Sequence, residues 1–166
     1  MKTEYWDVLN SNGELTGEKV KRGFSGRLKN GQYHLVVHIW VKNSKGQLLI
    51  QKRSPHKHPM AGEWAATGGA VISGETSKKA AIRELKEELG IIVHEDEIYY
   101  LGRIKRKANI KDIWWAGVDA DTDRLDLQEE EVIDAKWVTK DELHQMINKG
   151  QFHNYGEDYF KKVFAI

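Results

Sequence analysis

Residues 69–91 read Gly69-Ala70-Val71-Ile72-Ser73-Gly74-Glu75-Thr76-Ser77-Lys78-Lys79-Ala80-Ala81-Ile82-Arg83-Glu84-Leu85-Lys86-Glu87-Glu88-Leu89-Gly90-Ile91. The second half of this stretch predicts a helix over Thr76–Leu89, closed by Gly90 as its C-terminal cap. At about 100° per residue, Ala81, Ile82, Leu85 and Leu89 form one stripe that should face a core. Glu84, Glu87 and Glu88 share another face at i, i+3 and i+4 spacing, and Ala80, four residues before Glu84, should leave that face open. Three carboxylates so placed repel one another, and they lie at the helix end that disfavours anions. A divalent cation would reverse that balance, and hard oxygen ligands suit Mg²⁺ or Mn²⁺ better than zinc. A solvated acidic face, offset by Lys78, Lys79 and Lys86, is the alternative reading of the same three residues.

Outward from this helix the chain alternates short apolar strands with turns. Trp6, Val8 and Leu15 flank Ser11-Asn12-Gly13, an Asn-Gly hairpin turn. His34 to Val41 and Gln47 to Gln51 flank the turn 43–46, and Ala65 to Ile72 can form a short strand. Ile91 to Ile104, Ile110 to Val118 and Val132 to Val138 also have strand character, and further helices are expected near Lys140–Asn148 and Tyr155–Phe164. Strands with interspersed helices predict an α+β fold, a mixed β-sheet sandwiched between α-helices and preceded by an N-terminal β-hairpin.

Composition narrows the function classes. The 166 residues suffice for one domain, and 26 basic against 25 acidic side chains give a net charge of +1. Global charge therefore predicts neither a nucleic-acid nor a membrane partner. With no cysteine present, disulfides, thiolate metal sites and cysteine nucleophiles are excluded. No apolar run approaches the roughly 20 residues of a membrane span, and the start of the chain lacks an apolar signal core. A cytoplasmic protein is the expectation.

The fixed spacing Gly69, five residues, Glu75, seven residues, Arg83-Glu84-Leu85-Lys86-Glu87-Glu88-Leu89-Gly90-Ile91 resembles the Nudix box at every fixed position. A chance match of this length is on the order of 10⁻⁷ at average residue frequencies. The resemblance implies a Nudix fold, with a single domain over 1–166, a hairpin extension over 1–30 and the box at 69–91. It also implies hydrolysis of a phosphoanhydride bond in a nucleoside diphosphate linked to another group, or in a related organic diphosphate. Glu84, Glu87 and Glu88 match the family's metal ligands, joined by the Gly69 carbonyl, with Mg²⁺ or Mn²⁺ as cofactor. Glu75 and Arg83 match a structural pair. Glu84 is the first choice for general base. A later carboxylate is its rival, from Glu129, Glu130 or Glu131 before the strand at 132, where an acidic solvated turn is the alternative reading, with Glu130 and Glu131 carried forward.

Beyond the box, Trp6-Asp7-Val8-Leu9, Gly31-Gln32-Tyr33-His34, Leu48-Leu49-Ile50-Gln51-Lys52-Arg53-Ser54 and Gly62-Glu63-Trp64 are similar to the isopentenyl-diphosphate-isomerase-like branch of Nudix proteins. That resemblance implies a diphosphate grip by Arg53 and Lys57, a guanidinium fork and an ammonium converging on phosphate. His34 and His38 share one face of a strand, and the resemblance offers His34 as a metal ligand, against the simpler reading of packed histidines. His56 and His58 can supplement the phosphate grip. Trp64, or one of Trp114 and Trp115, can stack on a ligand ring or simply pack. The isomerases use a cysteine after the tryptophan matching Trp64, whereas this chain has Ala65-Ala66-Thr67-Gly68-Gly69 and a complete box. Isomerase chemistry is thus the runner-up, a non-catalytic nucleotide-binding sensor is the rival from another class, and a homodimer is among the expectations.

Overall fold

The computed structural model describes residues 2–23 and 28–166. Residues 1 and 24–27, part of the expected 1–30 extension, lie outside the described residues. The first two strands, β1 (Tyr5–Leu9) and β2 (Leu15–Lys21), form an antiparallel hairpin. Gly13 turns it at φ 78°, a conformation open to glycine at little cost, while the Asn10 carboxamide oxygen accepts from the Asn12 and Glu14 amides.

The larger sheet is built around β3 (His34–Lys42). It pairs in parallel with β8 (Asn109–Gly117) on one side and antiparallel with β6 (Thr67–Ala70) on the other. β4 (Leu48–Arg53) meets β3 at Lys42 and Leu48, then pairs with β5 (Trp64–Ala65) and β9 (Val132–Val138). β7 (Ile98–Lys105) closes the order antiparallel to β8. The helix α1 (Ser77–Leu89) covers one face of this sheet. The helices α2 (Lys140–Asn148) and α3 (Glu157–Val163) cover the other.

Strand alternation assigns the two cores. Val37, Ile39, Val41 and Leu49 point toward α1, whereas Trp40, Leu48 and Ile50 point toward α2 and α3. The mixed sheet between helices, with its N-terminal hairpin, is the expected architecture. Two local expectations are corrected. The stretch 91–97 is not strand: Ile91 and Val93 bury their side chains in the α1 core, but the ladder begins only at Ile98. The expected strand Ala65–Ile72 is broken at Ala66 into β5 and β6, which pair with different neighbours. Among the described residues, no helix is long and apolar enough to cross a membrane.

Candidate active site

The sequence stops α1 at both ends. The Thr76 hydroxyl accepts from the Lys79 amide at 3.2 Å, and Gly90, at φ 69°, donates its amide to the Lys86 carbonyl. Between these caps Ala81, Leu85 and Leu89 are fully buried, as the stripe requires, and Ile82 packs at its margin. Ala80 is buried as well, which corrects the expectation that it leaves the glutamate face open. The small Ala80 side chain lets α1 lie close on the sheet, and this closeness buries two of the three glutamates. Glu84 and Glu88 are 9% and 3% exposed, while the Glu87 side chain is half exposed.

Gly69 belongs to the same close approach. A Cβ on Gly69 would lie 2.3 Å from Glu84 Oε1, and one on Gly68 would lie 2.0 Å from the Val37 carbonyl oxygen. Neither position has room for a side chain, so β6 can slide beneath the carboxylates only with glycine there.

Two polar systems hold the glutamates. Arg83 Nε and Nη2 donate to the two Glu75 oxygens at 2.8 and 3.0 Å. Arg83 Nη1 donates to Glu84 Oε1 at 2.8 Å and Glu87 Oε2 at 3.1 Å, and Nη2 also reaches the Ala70 carbonyl. These carboxylates hold the Arg83 proton more tightly than in water. The second system is neutral. Gln51 Nε2 donates to Glu88 Oε2 at 2.9 Å, and Thr67 Oγ1 donates to Gln51 Oε1 at 2.8 Å. Burial, with Glu84 close by, pushes the Glu88 carboxyl up to about 8. Burial also raises Glu84, against the pull of Arg83.

These groups open onto a cavity of about 370 Å³. Glu84, Glu87 and Glu88 line it together with Gly68 and Gly69. Arg53 and Lys57 reach it from β4 and the loop that follows, and Lys57 is ion-paired with Glu131. Arg53 is steadied by the Pro59 carbonyl, which accepts from its Nε at 3.1 Å. The structure therefore gathers Glu84, Glu87, Glu88, Gly69, Arg53, Lys57 and Glu131 at one cavity, with Glu75 and Arg83 bracing it. Glu129 and Glu130 are exposed and do not line it.

Trp64 lies elsewhere, beside a separate cavity lined by Lys52 and Lys136, with the Lys136 ammonium 4.6 Å from its ring centroid. His34 stacks on Trp6 at 4.2 Å between centroids, and His38 Nδ1 lies 2.6 Å from the Tyr159 hydroxyl in the opposite core. Both histidines are packed groups. His56 and His58 are exposed and do not line the carboxylate cavity. Trp114 and Trp115 point to opposite faces, each half-buried. Trp114 Nε1 donates to Ser77 Oγ, and Trp115 packs on Tyr99.

Sequence reasoning missed Gln51, Gln128, Glu4 and Arg22. Gln51 carried a signal, being the first polar residue after the apolar run Leu48-Leu49-Ile50. Glu4, Arg22 and Gln128 carried none, because chain folding alone brings them to the cavity.

The donor set suits a hard divalent cation. It consists of clustered carboxylate oxygens, two of them buried, with a single guanidinium and neutral amides as partners. Among the described residues no three His, Asp or Glu side chains stand in ready coordinating positions. Arg83 draws one oxygen each from Glu84 and Glu87.

The model of the NUDIX domain family matches residues 32–157. An uncharacterized Nudix hydrolase of Listeria monocytogenes is 41% identical over 153 residues, covering 92% of this chain and 89% of its own. An isopentenyl-diphosphate Delta-isomerase of Escherichia coli is 30% identical over 143 residues, covering 82% and 78%. Among solved structures, the protein DR0079 of Deinococcus radiodurans superposes with a TM-score of 0.77 at 26% identity, covering 91% of this chain and 93% of its own.

Proposed function

The chain belongs to the Nudix hydrolase family, and from that premise we propose that it hydrolyses the phosphoanhydride bond of an organic diphosphate, most naturally a nucleoside diphosphate linked to a second group, with Mg²⁺ or Mn²⁺. The observation that carries this reading is the meeting of Glu84, Glu87 and Glu88 with Arg53 and Lys57 at one polar cavity.

Glu84, Glu87 and Glu88 would hold the cation, with the Gly69 carbonyl beside them. Bound there, it supplies charge neutralisation for the phosphates and lowers the pKa of a water. The chain's own residues do the rest. Arg53 and Lys57 take phosphate oxygens, Lys57 exchanging Glu131 for the substrate. Arg83 keeps Glu84 aimed at the cavity through its bond to Oε1, and Glu75 keeps Arg83 in place. A carboxylate then accepts the proton of the attacking water. Glu84 is the first candidate. Glu131 is the second, because release of Lys57 to substrate would free its oxygens.

Isomerase chemistry is disfavoured by the chain's own composition, which has no cysteine. Ala66, in the stretch where the isomerases carry theirs, is buried and donates its amide to the Tyr155 hydroxyl at 3.2 Å. The test is incubation with Mg²⁺ and a panel of nucleoside di- and triphosphates, ADP-ribose, dinucleoside polyphosphates, NADH, CoA and isopentenyl diphosphate. Phosphate release is read with and without added phosphatase, and isomer formation is followed separately. Metal-dependent release from one class supports the proposal. Binding without turnover across the panel would favour a nucleotide sensor instead.

A further inference from the structure

Gln51 is a fully buried, uncharged polar side chain at the end of an apolar run. Its surroundings follow from the sheet. β3 and β4 meet at Lys42 and Leu48, and the segment of β5 and β6 serves both strands, β5 on β4 and β6 on β3. The break at Ala66 is what permits this change of partner. It leaves Ala65 opposite Gln51 and Thr67 opposite Ile39. Leu49, two residues before Gln51, and Ile39 both belong to the α1 core. Strand alternation therefore turns Gln51 and Thr67 toward α1, where Glu88 is waiting.

The three side chains form a chain of hydrogen bonds with one sense. An ionised carboxylate only accepts, so Gln51 presents its nitrogen to Glu88 and its oxygen to Thr67. Nε2 donates to Glu88 Oε2 at 2.9 Å, and the Thr67 hydroxyl donates to Gln51 Oε1 at 2.8 Å. The Gly68 amide reaches the same Oε2 at 3.4 Å. Both bonds to Glu88 thus end on Oε2, which leaves Oε1 for the cavity that Glu88 lines. Gln51, Thr67 and Glu88 are 0%, 3% and 3% exposed, so solvent does not compete for these bonds. Arg83 holds Glu84 and Glu87 with a full positive charge that opposes a cation. Gln51 holds Glu88 with a neutral amide, which orients the carboxylate and leaves its charge to the metal. Building on the cation site proposed above, we propose that Gln51 and Thr67 are positioning residues that hold Glu88 as a one-oxygen ligand of the divalent cation. Gln51 pins Oε2, and Thr67 fixes the Gln51 amide.

The test is titration of the full chain with Mn²⁺ alone, without substrate, reading free Mn²⁺ by electron paramagnetic resonance and recording a melting curve for each variant. Thr67→Val keeps the shape of the side chain and removes the hydroxyl. Loss of a group that orients a metal ligand predicts Mn²⁺ affinity falling about tenfold or more in Thr67→Val and in Gln51→Leu. Thr67→Ser restores the hydroxyl and should bind within about twofold of the wild type. Thr67→Val leaves the Gln51 oxygen buried without a donor and should melt earlier, whereas Gln51→Leu with Thr67→Val replaces both partners by apolar groups and should recover much of that loss. The double variant therefore separates positioning from folding: it should bind Mn²⁺ as weakly as Gln51→Leu even where its Tm is restored. Wild-type Mn²⁺ affinity in the double variant overturns the proposal for both residues. A loss in Gln51→Leu with wild-type affinity in Thr67→Val overturns the role of Thr67, as does a Thr67→Ser variant no tighter than Thr67→Val. No Mn²⁺ binding by the wild type overturns the cation site and this inference together.

Discussion

Arg83 and Glu75 meet through two parallel hydrogen bonds, 2.8 and 3.0 Å long, across the junction between the glycine-bearing loop and α1. The same guanidinium holds Glu84 and Glu87, so one side chain ties the loop, the helix and the carboxylates together. Glu75→Gln keeps the shape but removes the charge. It should cost about 2 kcal/mol of stability, the scale of a hydrogen bond to a charged group. It should also lower kcat more than it raises KM, because Arg83 would lean further onto Glu84 and Glu87. Urea denaturation with steady-state kinetics reads both, and unchanged stability and rate would remove Glu75 from the bracing role.

Gly69→Ala places a methyl carbon 2.3 Å from Glu84 Oε1, closer than the two atoms can approach. The carboxylate must move, and displacement of a reacting group by about 1 Å costs roughly 10²-fold in rate. The expected outcome is a folded protein, judged by circular dichroism, with turnover down by about that factor. Full activity would mean that Glu84 does not work from its present position.

Burial raises the Glu88 carboxyl from the usual carboxylate value of 4.5 to about 8. Between those values the folded protein binds more protons than the unfolded chain, so its stability falls as pH rises through that window. Above pH 8 the carboxylate is charged and buried in the metal-free protein, and Mg²⁺ should then relieve most of the cost. Metal-free wild type should lose stability relative to Glu88→Gln as pH rises from 4.5 to 8, and Mg²⁺ should raise the wild-type Tm more at pH 8.5 than at pH 6. A pH-independent difference between the two proteins would contradict this account of Glu88.

Lys57 and Arg53 are proposed to act on binding. Lys57→Ala should raise KM for the substrate about tenfold, the effect of one charge-assisted contact, with a smaller change in kcat. A kcat loss at constant KM would assign Lys57 to positioning Glu131 instead.

The legible parts of the fold are those governed by local rules. Thr76 and Gly90 announce the ends of α1, and the 3.6-residue period separates Leu85 and Leu89 from Glu87. The same period could not say that Glu84 and Glu88 would be buried, since that depends on the strand packed above them and on two glycines with no room for a Cβ. Ile91 and Val93 show how an alternating apolar pattern misleads: both are buried, as in a strand, yet residues 91–97 join no ladder. Trp64 reads from the sequence as an aromatic that can stack on a ligand ring, and β5 carries it to a separate cavity. Arg22 lay beyond any reading by period or spacing, because its place at the cavity depends on Asp7 capturing the loop at Ser73 and Gly74.

The central claim is that the glutamate cluster on α1 drives metal-dependent hydrolysis, and Glu87→Gln tests it most directly because the Glu87 side chain is half exposed and its loss should leave the fold intact. Phosphate release from the diphosphate panel is measured in Mg²⁺ for wild type and Glu87→Gln, with melting curves for both. The account predicts wild-type turnover of one substrate class that is abolished by chelation and reduced by about 10² or more in Glu87→Gln, at an unchanged Tm. Undiminished Mg²⁺-dependent turnover in Glu87→Gln would contradict it.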